Sequence, residues 1–156
     1  MNMTQQGRLN HRQLSRWSLL PGGQMPTIAE TDHARSFMTP DVAIEAHRKW
    51  KTRFLVSMSK QEQMNVQDVA ADNCCQFGKW LHADGKASFG HLGGYQHCVA
   101  VHAAFHAEAG KVAEQINQGN LADANRMLGY GTPYTETSEA LTVAVVSMFK
   151  EVESGE

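Results

Sequence analysis

Apolar residues recur every three or four positions from about residue 40 to residue 152, and no segment alternates between apolar and polar residues. This spacing puts apolar side chains along one face of an α-helix, whereas a half-buried strand needs a period of two. Each such helix has an apolar face that must pack against another helix. The pattern therefore predicts an all-α fold, a four-helix bundle with a short extra helix and an N-terminal tail.

A strong signal marks the start of the first helix of the predicted bundle. Thr39-Pro40-Asp41 offers a hydroxyl cap, a proline at the first helical position and an acid in the first turn. The helix should run to about Lys60, with His47 on its apolar face. The remaining predicted segments are a second helix from near Asn65 that ends in His82–Gly85, a loop over Lys86–Gly94, a third helix from about Tyr95 to Gln118, a short helix over Leu121–Leu128, and a last helix after Pro133.

Residues 1–38 differ from the rest of the chain. Their first 20 residues contain three arginines and no acid, and Pro21-Gly22-Gly23 follows directly. We interpret 1–38 as a flexible tail or linker, or a start assigned upstream of Met25 or Met38, and 39–156 as the folded domain. The alternative is a short basic amphipathic helix on a membrane or partner, because the arginines Arg8, Arg12 and Arg16 are spaced one helical turn apart.

Charge and hydropathy exclude several classes of function. Fourteen Lys and Arg against sixteen Asp and Glu give a net charge of −2, which supplies no general attraction to nucleic acid. No apolar run is long enough to span a membrane, and the N-terminus lacks the apolar core of a signal peptide. A cytoplasmic protein is predicted. Three cysteines, two of them adjacent, favour free or metal-bound thiols over a disulfide framework.

The histidines carry the strongest chemical signal. His102 and His106 lie one helical turn apart in the apolar stripe of the third helix, and His47 lies on the inward face of the first. Three imidazoles and one thiolate would complete a tetrahedral shell, which suits Zn²⁺. The thiolate is Cys74 or Cys75, and spacing alone leaves that choice open. Periodicity aligns Cys74 with the apolar residues Phe77 and Leu81, so that Cys74 has the position of a core residue.

These residues resemble the chemoreceptor zinc-binding domain family of bacteria. The family has an early His followed by Trp, then Cys-x-apolar-Gly-x-apolar, then His-x-x-x-His. The matching segments here are His47-Arg-Lys-Trp50, Cys75-Gln-Phe-Gly-Lys-Trp80 and His102-Ala-Ala-Phe-His106. The resemblance covers about Pro40 to Glu151, and the separations of 24 and 21 residues between the three segments are similar to those of the family.

The resemblance implies zinc ligands and a sensory role. It makes His47, Cys75, His102 and His106 the ligands, and places Trp50, Gly78 and Trp80 as packing residues beside them. It also implies sensing of zinc or of oxidants, with Cys75 as the redox-sensitive group, and action on a signalling partner such as a chemoreceptor or a diguanylate cyclase. Apart from the resemblance, Cys98 lies one helical turn before His102 and is an alternative thiol ligand, although we expect it to pack as a small apolar residue. We expect His97 to be exposed, His82 and His91 to be exposed loop residues, and His11 and His33 to lie in the tail.

Two further expectations concern activity and assembly. A shell of four protein ligands has no open position for substrate, so we predict no enzyme activity. The alternatives are a structural zinc module without switching, and a di-iron bundle, which the absence of Glu-x-x-His pairs at His102 and His106 disfavours.

The last helix has apolar residues on more than one side, which predicts a homodimer. These are Leu141, Val145, Met148 and Val152, with Val143 and Val146 beside them.

Overall fold

The computed structural model describes residues 38–154, and this part of the chain is helical and contains no β-strand. The all-α prediction is confirmed. The segments are α1 (Pro40–Lys60), α2 (Val66–Ala70), α3 (Gln76–Trp80), a π-helical turn (Leu81–Gly85), α4 (Lys86–Phe89), α5 (Gly93–Asn117), α6 (Leu121–Met127) and α7 (Pro133–Ser154). Residues 1–37 of the predicted tail lie outside the described residues, whereas Met38 is buried.

Helix α1 begins and ends where the sequence predicts. The Thr39 hydroxyl accepts a hydrogen bond from the backbone N–H of Val42 at 3.3 Å, and Pro40 occupies the first turn. Gln61 ends the helix in the left-handed conformation, with φ of 56°. Capping thus fixes the bounds of the helix on which His47 lies.

The core lies among the three long helices α1, α5 and α7. Helix α5 packs along α7 and also contacts α2, while α1 lies against both α5 and α7. Phe54, Phe105 and Tyr134 meet at the centre of this frame, with ring centroids 5.4 to 5.8 Å apart where Tyr134 contacts the two phenylalanines. Burial of such rings supplies much of the stabilisation of a small helical domain.

The predicted second helix is wrong as a continuous element. Helix α2 stops at Ala70, residues 71–75 form a turn, and a new helix begins after Cys75. Asp72 and Asn73 favour turns because their side chains compete for backbone hydrogen bonds. The turn also folds back onto α3, since a Cβ at Gly78 would overlap the Asp72 carbonyl oxygen. The apolar spacing of the sequence continues across residues 71–75, so it does not predict that the helix is interrupted there.

The predicted loop over Lys86–Gly94 is wrong in its first half. Lys86–Phe89 is helical and continues the π-helical turn, so the connection to α5 is confined to residues 90–92. The helix continues through Gly85 instead of ending there. This glycine allows a close approach of Trp80, since a Cβ at Gly85 would lie 3.1 Å from Trp80 Cζ3. The fourth position of the bundle is therefore filled by the short segments from α2 to α4.

The C-terminal half agrees with the predicted boundaries. Gly119 follows α5 in the left-handed conformation, with φ of 77°, and α6 and α7 begin at Leu121 and Pro133. Leu141, Val145 and Met148 are buried, while Val143 remains 66% exposed. A search of the described helices finds none with the length and apolar character needed to cross a membrane.

Candidate metal centre

Four side chains with metal-binding atoms meet between α1, the turn before α3, and α5. One donor atom from each of His47, Cys75, His102 and His106 lies within 4.8 Å of the others. The three histidines are 0 to 5% exposed, and Cys75 is half-buried. The structure thus brings together the four residues that the family resemblance identifies as ligands.

Backbone carbonyl oxygens fix two of the histidine rings. His47 Nδ1 donates to Ala43 O at 2.6 Å within α1, and His106 Nδ1 donates to Val69 O of α2 at 2.7 Å. A carbonyl oxygen only accepts, so each ring carries its proton on Nδ1 and has a lone pair on Nε2. Both Nε2 atoms are buried and have no hydrogen-bond partner. Metal-binding histidines are oriented by this kind of outer hydrogen bond.

The thiol and the third imidazole face each other directly. Cys75 Sγ lies 3.4 Å from His102 Nε2 and accepts a hydrogen bond from the Gly78 backbone N–H at 3.1 Å. Cys75 is the residue that caps the start of α3, so its side chain is held at a helix end rather than along a helix face. His102 Nδ1 is buried without a partner.

The geometry fits a tetrahedral zinc ion. Zn–S and Zn–N bonds of about 2.3 and 2.0 Å place neighbouring donors of a tetrahedral shell roughly 3.3 to 3.6 Å apart. The Cys75–His102 contact of 3.4 Å already has that length, and no pair of donor atoms exceeds 4.8 Å. Buried nitrogen lone pairs without partners are costly, and a cation would remove that cost. Zn²⁺ is accordingly the metal that this donor set suits.

Burial also sets the protonation states of the site. Desolvation lowers the pKa of His47 to about 4 and that of His102 to about 2, and it lowers the pKa of His106 as well. Neighbouring imidazoles lower the pKa values of His47 and His102 further. The three rings are therefore neutral at pH 7 and available as ligands. Burial raises the pKa of the Cys75 thiol, so in the metal-free protein its sulfur holds a proton.

Aromatic rings and one glycine surround the donors. Phe77 and Phe105 contact His47 edge-on, and Trp50 contacts His106 with centroids 5.6 Å apart. A Cβ at Gly78 would lie 3.0 Å from His102 Cε1 as well as overlapping the Asp72 carbonyl. Trp80 lies one layer further out, stacked between Phe77 and Phe149. These apolar walls lower the local dielectric and strengthen binding of a cation by the thiolate.

The remaining cysteines and histidines of the described residues lie outside this group. Cys98 is fully buried as predicted, and burial raises its thiol pKa to about 12. His91 and His97 are exposed. His82 is exposed too, but it lies in the π-helical turn rather than in a loop. His11 and His33 fall outside the described residues.

The prediction that Cys74 is a core residue is wrong. Its side chain is exposed, because residues 71–75 form a turn and the helical register that would bury it ends at Ala70. Its thiol approaches only Asn73 Oδ1, at 3.6 Å. Cys74 is therefore a solvent-accessible thiol next to the candidate ligand Cys75.

Sequence reasoning missed the groups that hold the donors in place. The carbonyl of Ala43 could have been found, since it lies four residues before His47 in the same helix. The carbonyl of Val69 could not, because its position depends on the break after α2. The side chain of Asp72, which lies within the cysteine-bearing turn, is equally hidden from the sequence: its Oδ2 accepts a hydrogen bond from His82 Nε2 at 2.8 Å.

Comparison with known proteins gives one family match. Residues 47–113 match the family model described as the chemoreceptor zinc-binding domain. The matched range begins at His47 and contains all four clustered donors. Searches of curated proteins and of solved structures returned no significant match.

Proposed function

Because residues 47–113 belong to the chemoreceptor zinc-binding domain family, we propose that this chain is a zinc-binding sensory domain whose ligands are His47, Cys75, His102 and His106. The observation that carries the proposal is the meeting of these four donors from three separate segments of the fold. The three histidines are buried and neutral, two of them are oriented by backbone carbonyls, and the Cys75 thiol lies 3.4 Å from His102 Nε2. Four protein donors leave no open coordination position, so the site is regulatory and not catalytic.

Zinc occupancy is the signal that this site can convert into a change of packing. The donors lie on α1, on the turn before α3 and on α5, so a bound metal would connect three separate segments of the fold. Structural zinc sites in small peptides bind with about 10–16 kcal/mol at neutral pH, comparable with the whole stability of a domain. Loss of the metal would therefore loosen the short segments α2 to α4 against the long helices.

Oxidation of Cys75 is a second route to the same change. A peroxide or hypochlorous acid transfers OH to the Cys75 thiolate: the O–O or O–Cl bond breaks, hydroxide or chloride leaves, and the sulfur loses two electrons. The product is a sulfenic acid, a poorer zinc ligand. The exposed Cys74 thiol would react in the same assay, so the test uses Cys74→Ser protein. Zinc-loaded C74S should release zinc on mild oxidation, with the modification on Cys75. Release at the same rate from a C74S/C75S variant reloaded with zinc would refute the thiol switch.

The family and helix α7 support a proposal about the signalling partner and the assembly. We propose that the chain acts in the cytoplasm on a signalling protein such as a chemoreceptor or a diguanylate cyclase, as a homodimer. Val143 is 66% exposed and Val146 half-buried on the outer side of α7, which leaves apolar surface for a second chain. Sedimentation should show a dimer, and a monomer at roughly tens of micromolar would contradict it.

A structural zinc module without switching is the main alternative. It predicts the same metal content but no change in helix packing or oligomer size on zinc removal. A di-iron centre is disfavoured, because the donor group in the described residues contains no carboxylate. Sedimentation and near-ultraviolet circular dichroism of zinc-loaded and zinc-free protein distinguish the sensor from the structural module. Identical results for the two forms would favour the module.

A further inference from the structure

One side-chain pair outside the four donors lies at the edge of the metal centre. His82 Nε2 is 2.8 Å from Asp72 Oδ2, and the two side chains are 36% and 27% exposed. Asp72 belongs to the turn that precedes Cys75, and His82 belongs to the π-helical turn after α3. The pair therefore connects the cysteine-bearing turn to the helical segment behind it.

This turn is attached to α3 at two other points. The Gly78 backbone N–H donates to Cys75 Sγ at 3.1 Å, and the Asp72 carbonyl lies against Gly78 where a Cβ would otherwise stand. Both points are on the first helical turn after Cys75. The bond from Asp72 to His82 adds a third attachment one helical turn further along. Without it, the Asp72 end of the turn is held only by backbone contact.

The cysteine side of the site is the accessible one. His47, His102 and His106 are buried and enclosed by long helices, whereas Cys75 is half-buried on a short turn. Breaking a bond between Cys75 Sγ and a bound metal would therefore require movement of the turn more than movement of the histidines. π-Helical turns such as Leu81–Gly85 are rare and occur frequently at functional sites, and this one places His82 opposite Asp72.

We propose that Asp72 and His82 are positioning residues that hold the 72–75 turn closed over the metal centre and so set the rate at which Cys75 gives up its metal. The inference rests on the proposed ligand set and deepens it. Isolated surface ion pairs contribute little to stability, but this pair restrains the one segment whose movement exposes the sulfur. Its effect should appear in the zinc dissociation rate more than in the melting temperature.

The test compares three variants of the full-length, zinc-loaded chain. His82→Ala removes the bond, and His82→Gln retains a donor at the position of Nε2. Glu108→Gln breaks a pair of similar length, Glu108–Lys111 at 2.7 Å, on the exposed side of α5. Zinc release into excess chelator should be about fivefold faster for H82A than for the original chain. H82Q should release zinc at nearly the original rate, and E108Q should be unchanged.

Cobalt substitution provides a readout that a merely structural role would not change. The thiolate-to-cobalt charge-transfer band should shift or weaken in H82A and keep its original form in H82Q and E108Q. Equal dissociation rates for the original chain and H82A, or equal acceleration in H82A and E108Q, would overturn the inference. Acceleration in H82Q as large as in H82A would overturn it as well. If the original chain binds no zinc, the proposed function itself fails.

Discussion

The two sides of the metal centre are built differently. The histidine side consists of His47 and His106, each buried on a long helix and fixed by a carbonyl 2.6 or 2.7 Å away, together with the buried His102. The cysteine side is a turn of five residues between two five-residue helices, with its thiol half-buried. Rigid elements hold three donors, and a short turn holds the fourth.

Because of this difference, we expect the histidine side to favour metal binding and the cysteine side to be the first to release the metal. Rings that are already oriented lose little entropy when a metal binds, so His47 and His106 are preorganised as ligands. A turn with few buried contacts opens at lower free energy than a packed helix does. The cysteine side is therefore where zinc exchange and oxidation begin.

The largest expected effect is on the histidine side. His106→Ala removes a buried, oriented donor from a four-ligand site, so zinc affinity should fall by about a hundredfold or more. The matched control is His97→Ala, which changes an exposed histidine on the same helix and should leave affinity unchanged. Competition with a chromogenic chelator measures both. Equal affinities for H106A and H97A would show that the ligands lie elsewhere.

The next effect is on the cysteine side. Gly78→Ala places a methyl group against the Asp72 carbonyl and His102 Cε1, so the turn must move away from α3. The free energy of unfolding should fall by about 3 kcal/mol, as for other overpacked sites. Gly93→Ala is the control, because nothing lies within 4 Å of a Cβ at that position. Urea unfolding of the two zinc-free variants checks the difference, and equal stability would contradict the close approach.

The same two sides show how far the sequence could be interpreted. Helix α1 with His47 and helix α5 with His102 and His106 follow directly from apolar spacing and a capping signal. The turn before α3 does not, because Asp72 to Cys75 continue the apolar spacing while the backbone turns back on Gly78. Only the family motif distinguishes Cys75 from Cys74, and apolar spacing wrongly predicts that Cys74 is buried. Tertiary contact overrides local periodicity where helices are short.

The protonation of the histidine side predicts a pH dependence of the zinc-free protein. The pKa of His47 is about 4 when folded and about 6.5 when unfolded, so the unfolded chain binds more protons below pH 6.5. The contribution of the neutral His47 ring to the free energy of unfolding is therefore complete above about pH 6.5, and it is lost as the pH falls toward 4. His47 alone should remove about 2 kcal/mol between about pH 7 and pH 5.

Urea titrations of the zinc-free chain across that pH range measure the loss. His47→Gln removes the titrating ring and is the comparison variant, which should show a shallower decline. A free energy of unfolding that is flat from pH 7 to about pH 5 would contradict burial of the neutral rings.

The smallest expected effect is the number of protons released when zinc binds, which differs between the histidine side and the cysteine side. At neutral pH the imidazoles are already neutral, whereas burial raises the pKa of the Cys75 thiol. Zinc binding should therefore release about one proton per ion, from sulfur alone. Calorimetry in buffers of different ionisation enthalpy measures this number. Cys75→Ser protein should release close to none, and equal release from both would place the proton elsewhere.

Metal content tests the central claim most directly, that His47, Cys75, His102 and His106 hold one zinc ion. Elemental analysis of the full chain, purified without chelator, should find about one zinc per chain and little iron. The variant with all four residues changed, H47A/C75S/H102A/H106A, should contain none. Stoichiometric iron in the original chain, or zinc retained in full by the fourfold variant, would contradict the account.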